Sequence, residues 1–339
     1  MKLAWVFQAD GILGGTPAIG PDGTCYFGSR SGALYAVDAR GVQRWRFQTG
    51  GPVEAAPCIH PAGPVVFGSY DGRVRALDPE GRLLWERDVG APVMTTPCVT
   101  AAGDLWFGHD AGSLEKLSVE GEPLEQEGVT DVLSSSPIAV GEVVYTADTV
   151  LWGSDGTRIS FGDEPVVAGA AAGQDGTLYV GGWDGHLYAL SPGPTGQVRW
   201  RTPIGGQIYG GCSVGPAGQV LVGTRTGRVA SVSSDGAIQW TRTLPDGVYG
   251  TPAISAGGLC FVGCNAARVY ALDLATGSIV AEVLGGRDFR SSVALGDDGR
   301  VYASCWDWKL YAIDGGGGGP VESPWPQFHR EAARTGRAR

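Results

Sequence analysis

Hydrophobic and polar positions along the chain follow one short programme that restarts about every forty residues. The interval from Trp45 to Trp85, WRFQTGGPVEAAPCIHPAGPVVFGSYDGRVRALDPEGRLLW, shows it whole. A small-residue apolar run (53–59) leads to a turn at 61–63, and a second apolar run (64–69) leads to a turn at Asp71-Gly72. An alternating run (73–78) follows, then a turn at 79–81 and a last alternating run (82–88) that carries the tryptophan. Runs of this length with period two, bounded by Gly, Pro and Asp, predict four antiparallel strands per unit. Glycines at the turns supply positive φ at little steric cost.

The period is marked by Trp5, Trp45 and Trp85, and again by Trp200 and Trp240. The same register continues through Glu125, a position near Ser160, and Val280, so eight units fill the chain from residue 5 to about 320. A single four-stranded unit leaves both faces in water, whereas radial stacking buries each face against the next. The predicted fold is therefore all-β, an eight-bladed β-propeller of four-stranded antiparallel blades. The last unit has three strands before the Gly315–Gly319 run, and the chain begins with an orphan strand, MKLAWVF. This N-terminal strand is expected to complete the eighth blade and lock the ring. The organisation expected is a propeller over 1–314, a glycine-rich linker over 315–320 and a tail over 321–339.

Composition sharpens this picture. Glycine fills 57 of 339 positions, proline 21 and tryptophan 11, while 43% of residues are hydrophobic. That apolar content excludes disorder, and glycines at such short intervals exclude long helices. The net charge is −10, with a net +2 on the segment from Val321 and −12 on the remainder, which argues against a nucleic-acid groove. No apolar run reaches membrane-spanning length, and the opening MKLAWVFQADG lacks the apolar core of a signal peptide. A cytoplasmic location without membrane contact is the expectation. The seven cysteines, at 25, 58, 98, 212, 260, 264 and 305, are odd in number and suit reduced thiols. Cys260 and Cys264 are about 13 Å apart along a strand of ~3.3 Å rise, too far to share a metal. No metal site is expected.

Segments such as GTCYFGSRSGALYAVDARGVQRW, GTLYVGGWDGHLYALSPGPTGQVRW and ARVYALDLATGSIV resemble the pyrroloquinoline-quinone-type (PQQ-like) propeller repeat over nearly the whole chain. The tail SPWPQFHREAARTG resembles a segment that commonly flanks such propellers, which implies that it packs on the ring with Trp325 and Phe328 as anchors. The resemblance implies the fold; its functions range from cofactor-dependent dehydrogenases to an outer-membrane assembly lipoprotein. The dehydrogenases place adjacent cysteines over the quinone, and the lipoprotein needs an exported, lipidated cysteine. Neither feature occurs in this sequence, so no PQQ or other cofactor is expected.

One end of the ring is expected to be regular turns, of the PDGT and PEG types. The other is expected to carry the chemistry. There the inner strands begin with an apolar column, Leu13, Val53, Val93, Leu133, Val166, Ile208, Val248 and Phe289, assigned to packing between blades. The next column is mixed: Gly14, Glu54, Met94, Ser134, Val167, Tyr209, Tyr249 and Arg290. Strand alternation turns it the opposite way, toward a funnel mouth. Loops between the second and third strands add Arg30, Tyr70, Asp110, Asp148, Trp183, Arg225, Asn265 and Trp306. The turn glycine at 32, 72, 112, 185 and 227 is replaced by Ala267 and Trp308, where a side chain must accept positive φ.

The expected function is a ligand- or protein-binding scaffold. Its ligand residues are Trp306, Trp308, Trp183, Glu54, Tyr209, Tyr249, Arg290, Asn265, Tyr70 and Arg30, which suit a small molecule or peptide. A protein partner is open to the same surface. The alternative is a cofactor-independent cyclase, isomerase or hydrolase at this mouth, using Asp307, Arg290, Tyr249, His186 or Cys305; PQQ-dependent oxidation ranks behind both.

Overall fold

The computed structural model describes residues 1–129, 135–161 and 169–338. These form eight sheets, each built on four antiparallel strands that are consecutive in sequence in the first seven, arranged as an eight-bladed propeller with no helix among the described residues. In chain order the blades span 18–48, 58–88, 98–128, 138–160, 171–203, 213–243 and 253–284. The eighth combines 294–314 with the N-terminal strand Lys2–Gln8. That strand pairs antiparallel with Lys309–Asp314, so the two ends of the propeller sequence share one sheet and the ring closes as the orphan strand predicts.

Tryptophans on the fourth strands join neighbouring blades by one repeated contact. Nε1 of Trp5, Trp45, Trp85, Trp200 and Trp240 donates to the carbonyl oxygen of Ala39, Pro79, Val119, Ser234 and Leu274, thirty-four residues on, at 2.8–2.9 Å. Glycine is required beneath each ring. A Cβ on Gly81 would lie 2.6 Å from Trp45, and one on Gly277 would lie 2.4 Å from Trp240. A bulge in the fourth strand aims these side chains at the next blade. In the seventh blade the turn is one residue longer, so Val280 becomes the bulge residue. Ala281, opposite Ala271, occupies the tryptophan's place instead.

On the inner side the apolar column does pack between blades. Leu13, Val53, Val93, Ile208, Val248 and Phe289 are all fully buried. The second-strand glycine of the preceding blade makes room for them: a Cβ on Gly28 would lie 2.5 Å from Val53 Cγ1, and one on Gly68 2.2 Å from Val93 Cγ1. Leu133, Ser134, Val166 and Val167 lie outside the described residues.

Beyond Asp314 the chain returns to the axis. The glycine run is held against the seventh blade, where Ala256 N–H donates to Gly319 O (2.9 Å) and Gly257 N–H to Gly317 O (2.6 Å). From Trp325 onward it circles inside the channel and caps the inner strands in order. Val214, Ile254, Ile19, Ile59, Val99 and Ala139 donate their N–H groups to the carbonyls of Trp325, Pro326, Ala332, Ala333, Thr335 and Gly336, at 2.7–2.9 Å. In the eighth blade the Gln327 side chain substitutes for a backbone group: Leu295 N–H donates to Oε1 (2.9 Å) and Nε2 donates to Leu295 O (3.2 Å). Arg337–Ala338 then adds a parallel fifth strand to the fourth blade. This belt serves seven of eight blades and occupies the turn end of the channel.

Candidate ligand-binding mouth

The opposite end is positioned by equally regular backbone. The first loop residue after the second strand donates its N–H to the segment entering the same blade: Arg30 to Ile12 O, Tyr70 to Pro52 O, Asp110 to Pro92 O, Arg225 to Gln207 O, Asn265 to Gly247 O and Trp306 to Asp288 O, at 2.8–3.0 Å. A repeated backbone bond thus presents side chains of varied chemistry from six blades at equivalent positions.

These side chains meet the mixed column in a continuous arc. Trp183 packs on Tyr209 with centroids 4.8 Å apart, and Tyr209 packs on Tyr249 at 5.1 Å. The Arg290 guanidinium lies 5.6 Å from the Tyr249 ring and 4.0 Å from the Trp306 ring, within cation–π range. Arg30 stands 5.2 Å from the same Trp306 ring and forms an ion pair with Glu54. Glu54 also accepts a hydrogen bond from Tyr70 Oη at 2.7 Å. Burial pushes the Tyr70 phenol well above its ordinary value, and the bond to the Glu54 carboxylate adds to this.

Eight of the ten expected ligand residues therefore form one connected surface spanning the fifth blade through the second. Charge is divided around it. Arginines 225, 290 and 30 stand on the sixth, eighth and first blades, and Glu54, Asp110 and Asp148 on the second to fourth. Burial raises the Asp148 carboxyl above its usual range. Four polar atoms in the loop ring, Asp110 Oδ1, Trp183 Nε1, Asn265 Oδ1 and Trp306 Nε1, are covered yet have no hydrogen-bond partner. Groups of this kind are costly to leave unpaired.

Trp308 and Asn265 stand apart from the arc in the contacts they make. Trp308 is 48% exposed and takes φ +70°, while Ala267 takes +58°, beside +76° to +84° for the five glycines at equivalent turns. The positive φ foreseen at both positions is present.

The remaining catalytic candidates have other engagements. Asp307 Oδ2 accepts from Tyr311 Oη at 2.6 Å, with Lys309 Nζ 3.5 Å away. Asp184 accepts from Tyr188 (2.5 Å), and Asp71 binds Arg75 through both oxygens (2.8 and 3.0 Å) in the same way. The shared spacing of SYDGRVR, GWDGHLY and CWDWKLY, aspartate to a polar residue four positions on, is the sequence signal for this scaffold bond. His186 Nδ1 lies 2.9 Å from Asp184, at the start of the fifth blade's third strand. Cys305 Sγ donates to Arg287 O (3.2 Å) and Cys264 Sγ to Asp246 O (3.1 Å), where Ser69 Oγ donates to Gly51 O (3.0 Å). Burial pushes the Cys305 thiol up to about 12, which keeps it protonated at neutral pH. Among the described residues no three His, Cys, Asp or Glu side chains are grouped to hold a metal.

The fold matches known structures closely in shape and distantly in sequence. A computationally designed protein, Ika8, superposes with a TM-score of 0.78 at 14% identity, covering 92% of this chain and 99% of its own. Saccharomyces cerevisiae Sqt1 superposes with a TM-score of 0.79 at 13% identity, covering 92% and 98%. No curated protein matches the chain by sequence. A family model described as outer membrane protein assembly factor BamB, built on the PQQ-like repeat, matches residues 2–146 and 183–323. The chain belongs to this family of PQQ-like β-propeller repeats.

Proposed function

We propose that the protein is a binding scaffold that holds a small molecule or peptide at the arc from Trp183 to Tyr70. The observation that carries this reading is the arc's continuity. Five successive contacts between rings and guanidinium groups, from 4.0 to 5.6 Å, join side chains contributed by five blades. None of these contacts is needed to close the ring, which is held by strand pairing and the tryptophan wedges. The unpaired Trp183 Nε1 and Trp306 Nε1 support the reading too, because a ligand that shifts Tyr209 from the one ring and the arginines from the other gives both donors an acceptor. Binding is favoured over catalysis because Asp307 and Cys305 have the same scaffold contacts as their counterparts in other blades, and His186 is paired with Asp184. The division of charge suits a ligand with an anionic end toward Arg225, whose guanidinium bonds the neutral Gln207 amide at 3.1 Å, and a cationic end toward Asp110 and Asp148.

A thermal-shift screen of short peptides and aromatic zwitterions, followed by calorimetry, tests this. Ligands found should lose about tenfold or more in affinity, ~1.4 kcal/mol, with Trp306→Ala or Tyr209→Ala. Undiminished binding to both variants would place the site elsewhere.

A further inference from the structure

The belt has the properties of a bound peptide. The ring is complete without it, since Lys2–Gln8 pairs with Lys309–Asp314 before the belt begins. Its contacts are those of peptide recognition: main-chain bonds to inner-strand N–H groups, one large anchor and a few side chains reading backbone. Trp325 is the anchor, buried to 1% exposure in the apolar cluster of the fourth to sixth blades. Gln327 reads both backbone groups of Leu295, and Arg334 Nε reaches Pro17 O at 3.0 Å. Small residues, Ala332, Ala333 and Gly336, lie where the belt must hug the strands; a Cβ on Gly336 would lie 3.1 Å from that of Cys98. Charge is complementary, with a net +2 on the segment from Val321 and −12 on the rest of the chain. A run of five glycines joins the two.

We propose that the turn end of the central channel is a binding site for a basic, turn-forming peptide with a Trp-Pro-Gln anchor, and that residues 325–338 occupy it in cis, with turns at 328–329 and 332–333. The tether raises the local concentration of the segment and keeps the site filled. A segment of the same chemistry on another chain competes for the same seven donors. This site lies at the opposite end from the mouth and stands or falls independently of it.

The test uses the full chain with a protease recognition sequence inserted after Gly316, where a Cβ would meet nothing, so that the contacts of Gly317 and Gly319 are kept. After cleavage the belt should co-elute with the ring in gel filtration. A fluorescent peptide of residues 321–339 should then exchange into the cleaved protein, saturating at one per ring. The uncut protein should take it up at least about tenfold less, and a Trp325→Ala peptide should bind at least about tenfold more weakly. Three results would overturn the proposal: a belt lost on cleavage from a ring that keeps its β circular dichroism and takes up no peptide, a ring that unfolds on cleavage, or equal uptake by cut and uncut protein.

Discussion

The two ends of the ring use the same backbone to opposite effect. At the turn end the inner-strand N–H groups of seven blades receive the same kind of partner, a carbonyl or amide oxygen of the belt, and side-chain identity hardly enters. At the mouth the backbone bonds are as uniform, six loop residues donating to the segment entering their own blade, yet the side chains run from tryptophan to arginine to aspartate. Repetition thus fixes where a side chain is offered and leaves open which one. Stability and recognition can therefore be altered separately, and four substitutions probe that separation.

The largest loss is expected at the belt. Trp325→Ala removes a fully buried indole from a cluster reaching the fourth, fifth and sixth blades, which costs about 3–5 kcal/mol for a large aromatic. Urea unfolding monitored by circular dichroism measures it. A loss under ~1 kcal/mol would mean the belt adds little to the fold and would break the contrast from this side.

Acid should weaken the belt next. Burial holds the His329 imidazole down to about 3, with the neighbouring Arg334 charge acting in the same direction. The unfolded chain binds this proton near 6.5 and the folded one does not until about 3. Stability from the neutral ring is therefore full above 6.5 and falls as pH drops toward 3, by about 1.4 kcal/mol per unit. The charged groups around it, Arg330, Glu331 and Arg334, stay on the belt in the comparison. His329→Asn, which tolerates the φ of +50° at this position, should abolish this part of the pH dependence in urea titrations between 7 and 4.5. Identical slopes for both proteins would remove His329 from the account.

The blades, the closing strand and the packing column were legible in the sequence because each is imposed by a period: two along a strand and forty along the chain. The Val280 register was misplaced by one because a single inserted turn residue moves the bulge, which periodicity does not register. The arc was legible as a column, since alternation fixes which residues share a face. The engagements of Asp307, Cys305 and His186 were harder to see, because they depend on partners four or eighteen residues away or on burial. The belt's path was hidden for a different reason. Its recognition is mostly main chain, and backbone donors leave no mark on composition.

A smaller, opposite effect is expected at the strained turn. Trp308 holds φ +70° with its ring half exposed, so it gives little burial in return for the left-handed backbone. Trp308→Gly should stabilise the protein by about 1 kcal/mol, read as a rise in the urea midpoint at unchanged slope. Destabilisation would show that the indole contributes to the fold despite its exposure.

The smallest effect is the most demanding of the comparison. Arg290 is exposed, paired with Asp288 at 3.0 Å, and stacked over Trp306 and Tyr249. Exposed ion pairs contribute about 0–1 kcal/mol, and a surface substitution clear of caps and cores shifts stability by about 0.5 kcal/mol or less. Arg290→Ala should therefore leave the urea midpoint nearly unchanged while uncovering Trp306. A loss above ~1.5 kcal/mol would mean that the arc also holds the seventh and eighth blades together. The mouth would then be a second wedge, built for closure in the same sense as the tryptophans on the fourth strands, and its mixture of side chains would need a packing explanation instead of a ligand.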